Sequence, residues 1–168
     1  MKKTISIILA TAIMVLSFPL GFFTFTVGAL SSGDYTYEIS SNNAVIIGVN
    51  ADIGGKVTVP EKLDNYTVTE IGDKAFYQCK NITEVVVPDT VTTIGDGAFA
   101  FCENLQKVTL PDGIKAINDG VFSDCVKLTQ INIPDTVETI GEIAFCNCEA
   151  LVSIVIPDGV TSIGGCAF

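Results

Sequence analysis

Six cysteines and nineteen carboxylates are the side chains of this 168-residue sequence with chemistry to offer, and both types recur at a fixed interval. Cys79, Cys102, Cys125 and Cys148 stand 23 residues apart, and so do Asp89, Asp112, Asp135 and Asp158. A thiolate can act as nucleophile or metal ligand, and a row of carboxylates can offer oxygen to calcium. Each role needs partners that converge in space. Thiols repeated at a constant step form a straight column, whereas zinc needs ligands arranged tetrahedrally. One carboxylate per repeat falls short of the roughly six to eight oxygens that calcium takes. The sequence also has no histidine and no arginine, which removes Ser-His and Cys-His activation, histidine metal sites and the usual near-neutral base. The sequence therefore reads as a non-enzyme, with no catalytic residue, no metal ligand and no cofactor. The cysteine column is expected to be buried filler, since cysteine is a small hydrophobe; disulfides between neighbouring repeats are its rival. The aspartates are expected to form turns, with carboxylates that accept a nearby backbone N–H.

Cys146 and Cys166 fall outside the column. Cys146 stands where other repeats have Tyr77, Ala100 and Ser123, and Cys166 where they have Lys74, Gly97, Gly120 and Ile143. Polar or tiny residues at those positions imply partial exposure. A disulfide between the two is conceivable in an oxidising compartment, but sequence does not show that they approach each other.

The elements that position these residues follow from the repeat. Ile71, Ile94, Ile117, Ile140 and Ile163 keep the same interval, as do Phe76, Phe99, Phe122, Phe145 and Phe168, and Pro88, Pro111, Pro134 and Pro157. Four full units result, 71–93, 94–116, 117–139 and 140–162, followed by a truncated one, 163–168. Within each unit, "ITEVVVP", "LQKVTLP", "LTQINIP" or "LVSIVIP" alternates apolar and polar residues and ends in proline. This predicts a short strand in every unit, because proline cannot donate into a ladder. A second extended piece, such as "VTTIG" at 91–95, points Val91 and Ile94 inward. "DGAFAFC" sets Ala98, Phe99 and Cys102 at intervals of three and four, which predicts a short helical turn. A single unit cannot bury enough apolar surface to offset the ordering of its backbone. Units must stack into a quasi-one-dimensional solenoid.

The repeat "IGDGAFAFCENLQKVTLPDGIKA" resembles the BspA-like type of leucine-rich repeat, found in secreted and surface proteins of bacteria and some protists. The likeness runs from about Lys56 to Phe168. The leucine-rich hexad appears as Leu105-Val108-Leu110, Leu128-Ile131-Ile133 and Leu151-Ile154-Ile156. The asparagine ladder of common leucine-rich repeats is replaced by Thr90, Gly113, Thr136 and Gly159, so curvature is not carried over. The implied fold is a leucine-rich repeat solenoid, an α/β superhelix of mostly short parallel strands with short helical turns and an N-terminal β cap.

Domain organisation follows. Residues 1–29 open with Lys2 and Lys3, run without charge from Thr4 to Ala29 and end in Val27-Gly28-Ala29. This order predicts a secretory signal cut after Ala29, with an uncleaved membrane anchor as the alternative. Residues 30–59 carry "YTYEI", "AVIIGVN" and "KVTVP", read as strands that cap the first coil. Residues 60–168 form the repeat array, whose first coil holds a five-residue insertion around "EKLDNYT". The array stops within a unit at Phe168 with an apolar edge, which suggests a longer array, since solenoids need capped ends. Two glycosylation sequons, at Asn65 and Asn81, are read as chance matches.

Charge narrows the partner. Nine lysines against nineteen acids give a net charge of −10, which leaves no basic face for nucleic acid. Membrane contact is expected only through the signal segment. The variable positions beside the constant hexad are Glu84 and Val86, Lys107 and Thr109, Gln130 and Asn132, and Ser153 and Val155. A rigid array that displays a varied stripe is how solenoids build extended binding surfaces. The expected function is therefore an exported, non-catalytic recognition module that binds protein, or a glycan, through this strand face. The resemblance implies a cell-surface location and adhesion to a host or matrix ligand. The alternative is a structural or targeting module of a longer secreted enzyme or wall protein.

Overall fold

A computed structural model describes residues 28–168; the signal reading of residues 1–29 falls almost wholly outside it. Two strands open the fold, β1 (Leu30–Ser32) and β2 (Tyr35–Ser40), paired antiparallel. Strand β3 (Asn43–Val49) pairs antiparallel with β2 and carries the first rung of the core, Ala44 and Ile46. After β4 (Gly55–Thr58), the insertion forms a hairpin of β5 (Lys62–Leu63) and β6 (Tyr66–Ile71). Each later coil then adds two short strands: β7 (Ile82–Val86) and β8 (Thr93–Ile94), β9 (Lys107–Thr109) and β10 (Ala116–Ile117), β11 (Gln130–Ile131) and β12 (Thr139–Ile140), and last β13 (Ser162–Ile163).

The strands form two parallel ladders because the repeat places identical residues one coil apart. The first ladder has the order β4-β7-β9-β11, with Val57, Val85, Val108 and Ile131 in register. The second begins with β3, β6 and β8 and continues as β10-β12-β13. Its inward isoleucines at 46, 71, 94, 117 and 140 are all buried. The interruption between β8 and β10 has a local cause. Elsewhere a glycine N–H donates to the isoleucine carbonyl one coil back, as from Gly95 to Ile71 at 2.7 Å and from Gly141 to Ile117 at 2.7 Å. Asn118 occupies this glycine position, and its side-chain amide takes the Ile94 carbonyl instead, at 2.8 Å.

The corner between the ladders departs from the expectation of a helical turn. No helix is present among the described residues, and "DGAFAFC" forms consecutive tight turns. Two positions in every corner take left-handed backbone. One holds Lys74, Gly97, Gly120, Ile143 and Cys166, with φ between 50° and 59°; the other holds Gln78, Phe101, Asp124 and Asn147, with φ between 58° and 60°. A left-handed residue every four positions cannot continue a right-handed helix. The N–H groups that a helix would use internally point instead to the next coil. Gly97 donates to Asp119 O, Phe99 to Val121 O and Phe101 to Ser123 O, at 2.8, 3.0 and 2.8 Å. The same three bonds link the coil before and the coil after. A third column of inter-coil hydrogen bonds thus replaces the helix.

The phenylalanines stack inside this corner. Successive rings from Phe76 to Phe168 lie 4.9, 5.7, 5.5 and 5.5 Å apart, tilted by no more than 27°. Tyr35 closes the first end of the stack edge-on to Phe76, at 6.5 Å. The insertion hairpin is tied down at its tip, where Ser32 and the buried Tyr37 donate to the Asp64 carboxylate at 3.0 and 2.6 Å. Burial foremost, then the Asp64 bond, pushes the Tyr37 hydroxyl up to about 12.

The fourth coil is the second departure. The strand expected in "LVSIVIP" is not formed, so Ser153 and Val155 belong to no ladder. Leu151, Ile154 and Ile156 are only half-buried, and Val152 and Val155 are 94% and 78% exposed.

Phe122 sits wholly buried between two stacked neighbours. Phe122→Ala should therefore destabilise the protein by about 3–5 kcal/mol, measured as a fall in the urea midpoint. A loss below about 1 kcal/mol, the size of an ordinary surface change, would show that the stack is not central to the core.

Candidate functional site

The outward side chains of the first ladder align into two rows, because successive residues of a strand point to opposite faces. One row runs Lys56, Glu84, Lys107, Gln130 and the other Thr58, Val86, Thr109. Lys56 enters the row 28 residues before Glu84 rather than 23, since the hairpin insertion lengthens its coil. Glu84 lies between two lysines, with Nζ–Oε1 distances of 3.1 Å to Lys56 and 3.7 Å to Lys107. The hydrogen bond from Lys56 is the main cause that holds its carboxyl below the usual carboxylate range, with Lys107 assisting. The pairs are solvent-exposed, so they fix the pattern of charge more than they add stability. On an acidic protein this stripe is a local positive feature of alternating sign.

An open depression of about 530 Å³ occupies the face between the third and fourth rungs of the ladder. Lys107, Thr109, Gln130 and Asn132 line it together, as their sequence positions anticipate. Glu84 and Val86 stand beside it on the preceding strand. Ser153 and Val155 do not join them, since their segment leaves the ladder. Asp112 and Thr129 also line the depression; neither belongs to the outward strand positions named from the sequence. Thr129 immediately precedes Gln130, and its hydroxyl donates to Gln106 O at 3.2 Å. Asp112 was read as a turn residue only.

The aspartates behind the prolines do sit in exposed turns. Their carboxylates, however, make no hydrogen bond there. The turns close by backbone bonds, Val91 N–H to Pro88 O and Val137 N–H to Pro134 O, each 3.0 Å. Among the described residues no three His, Cys, Asp or Glu side chains come close enough to hold a metal ion. In the position of the missing asparagine ladder, the Thr136 hydroxyl lies 2.7 Å from Asp112 O and 2.8 Å from Ile114 O. Thr90, two coils earlier, finds no such partner for its buried hydroxyl.

The cysteine column is buried at Cys79, Cys102 and Cys125 and half-buried at Cys148. Its thiols do more than fill space. Cys102, Cys125 and Cys148 each donate S–H to the carbonyl of the phenylalanine 26 residues earlier, at 3.2, 3.2 and 3.1 Å. Burial is the largest influence on all of them; it raises Cys102 and Cys125 far above the usual thiol range and pushes Cys148 up to about 12. Such thiols stay protonated and unreactive near neutrality. Cys146 is half-buried, Cys166 exposed, and all six cysteines are free.

Constant hexads, coil-to-coil cysteines and the Pro-Asp turns together describe one repeat type. A profile of the BspA type leucine-rich repeat region matches residues 65–168 with six copies. The chain belongs to that family. Among solved structures, the fold recurs in a T. pallidum leucine-rich repeat protein, 34% identical with a TM-score of 0.76 over 80% of this chain. A Bacteroides ovatus leucine-rich repeat protein is 31% identical with a TM-score of 0.73 over 83% of the chain. One from Bacteroides capillosus is 33% identical with a TM-score of 0.65 over 75% of the chain and 96% of its own length. The chain spans 64% of the T. pallidum protein and 38% of the B. ovatus protein. No curated protein matches it significantly.

The buried column makes a direct prediction for an alkylating reagent at pH 8. Cys166 and Cys146 should be modified in the native protein, while Cys102 and Cys125 stay unmodified until denaturant is added, as read by peptide mass spectrometry. Labelling of Cys102 in the folded protein would contradict the assignment.

Proposed function

We propose that this BspA-type protein is an exported, non-catalytic recognition module that holds a protein ligand on its first-ladder face, at a cell surface or in the surrounding matrix. One observation carries the reading. Lys107, Thr109, Gln130 and Asn132 converge on one open depression while the buried frame beneath them stays constant from coil to coil. The alternating Lys56-Glu84-Lys107 stripe borders it and gives a complementary surface a register to match. Such charge patterning steers encounter and discriminates between partners more than it adds affinity. The hydrogen bond from Lys56, with Lys107 assisting, holds the Glu84 carboxyl below the usual carboxylate range, so it stays charged through the neutral range. Burial holds the column thiols Cys102, Cys125 and Cys148 protonated, which disfavours a thiol nucleophile there.

Secretion fits the charged start and long apolar run at the N-terminus. Adhesion is the role best suited to a rigid ladder with a varied polar face. A second reading, a structural or targeting module within a longer secreted enzyme or wall protein, draws on the 38% of the B. ovatus protein that the chain spans.

The triple variant Lys107→Ala, Gln130→Ala, Asn132→Ala should bind an immobilised basement-membrane matrix about tenfold or more weakly than the parent chain, by surface plasmon resonance, with an unchanged melting temperature. Equal binding by parent and variant would overturn the strand-face assignment. Absence of binding by the parent would favour the structural reading.

A further inference from the structure

The first ladder is not closed along its whole length. Where a strand runs out just before its proline, the last N–H donates to the next coil: Val59 to Val86 O at 2.9 Å, and Val87 to Thr109 O at 3.0 Å. The repeat places a third such bond between Leu110 N–H and Asn132 O. That bond is not formed, and among the described residues neither group finds another hydrogen-bond partner. At the opposite end the same strands stay tied, since the N–H groups of Thr129 and Gln130 both donate to Gln106 O, at 3.0 and 3.1 Å. Strands β9 and β11 therefore part like a wedge, and both Leu110 and Asn132 line the depression of about 530 Å³ between them. Such a volume lies in the range of ligand sites, about 300–1,000 Å³. Leu110 is a buried residue, and a backbone donor is rarely left unpaired in such a place.

The groups that line the wedge indicate its occupant. A donor on one side and an acceptor on the other call for a ligand that accepts and donates in opposite directions. The trans peptide unit does this, because its C=O and N–H point opposite ways in one plane. Strand addition through the main chain is accordingly a recurrent mode of peptide capture. Charge narrows the choice further, since the depression holds one loosely committed charge of each sign. Among the described residues the Asp112 carboxylate enters no ion pair, and Lys107 reaches only Glu84, at 3.7 Å, whose nearer partner is Lys56 at 3.1 Å. Lys107 and Asp112 are separated by at most roughly 16 Å of extended chain, and Val108 and Ile131 supply apolar lining between them. A wholly anionic ligand is repelled by Asp112 and by the net charge of −10, and a wholly cationic one by Lys107. A neutral glycan leaves both charges unmatched.

We propose that the wedge takes an extended peptide segment that carries an acidic and a basic side chain four residues apart. One peptide unit of the ligand bridges Leu110 N–H and Asn132 O, while its acidic side chain pairs with Lys107 and its basic one with Asp112. A separation of four keeps both charges on one side of an extended chain and spans about 13 Å. The inference rests on the first-ladder reading and specifies the ligand of that face.

Amide NMR titration of the isotope-labelled full chain reads the site directly. The probes are peptides built around Glu-Val-Gln-Val-Lys and the reverse order, Lys-Val-Gln-Val-Glu. Lys-Val-Gln-Val-Lys, Glu-Val-Gln-Val-Glu and cellohexaose serve as controls. At least one mixed-charge order should bind about tenfold or more tightly than any control and shift the Leu110 amide. Reversal of either site charge, Lys107→Glu or Asp112→Lys, should weaken that binding about tenfold. The double reversal should restore binding of a mixed-charge peptide, and all three variants should melt with the parent, because neither side chain is buried. Controls that bind equally well, an unmoved Leu110 amide, or no restoration in the double variant would each overturn the proposal. If no peptide binds while the Lys107, Gln130 and Asn132 triple variant still loses the matrix, the peptide inference falls and the strand-face assignment stands. Peptide binding alongside equal matrix binding by that variant would retain the wedge as a peptide site and remove the matrix as its ligand.

Discussion

The structure depends on where the corner N–H groups go. Nothing in an isolated coil accepts them, because left-handed residues such as Gly97 and Phe101 prevent a helix from closing on itself. The N–H groups of Gly97, Phe99 and Phe101 therefore reach the carbonyls of Asp119, Val121 and Ser123 in the following coil. Backbone donors cannot be buried unpaired at tolerable cost, so one coil requires the next. Much else follows from that constraint. Rings in the Phe column must fall one above another, and the thiols of Cys102, Cys125 and Cys148 come within reach of phenylalanine carbonyls a coil away. The glycine position beside the second ladder is set by the same closeness: a Cβ on Gly95 would run into the backbone of Gly72 and Asp73.

Much of this was legible in the residues. The interval of 23 identified the solenoid, and the alternation in "LQKVTLP" located the first ladder together with its inward and outward sides. The helical turn was misread for a physical reason. Spacings of three and four among Ala98, Phe99 and Cys102 occur equally in a chain of tight turns, and periodicity alone does not distinguish them. The signal lay in the left-handed column, where Gly97 and Gly120 alternate with Lys74 and Ile143. Those glycines mark a backbone that cannot continue a helix.

The candidate site was legible in part. Lys107, Thr109, Gln130 and Asn132 line one depression, because strand alternation and coil register are fixed by the repeat. Ser153 and Val155 followed the same pattern but lie in a segment whose inward Leu151, Ile154 and Ile156 are half-buried. A strand needs a paired neighbour and a covered face, and a repeat motif by itself provides neither. Thr129 was not named because it precedes the outward position at Gln130, and Asp112, in the Pro-Asp column, was read as a turn residue only. The cysteine column was read as buried, and it is so at Cys79, Cys102 and Cys125. Their hydrogen bonds to phenylalanine carbonyls depend on coil-to-coil distance, which no local pattern states.

Rigidity and display are therefore separated in this protein. Buried isoleucine, phenylalanine and cysteine columns hold the coils at a constant spacing, and the outward rows are free to differ. The measurement that reaches the central claim most directly is through-hydrogen-bond scalar coupling by NMR on isotope-labelled protein. A coupling from the Phe99 amide nitrogen to the carbonyl carbon of Val121 is the predicted result. A coupling from Phe99 to the Gly95 carbonyl carbon, four residues earlier in the same coil, would mean that the corner is helical and would contradict it.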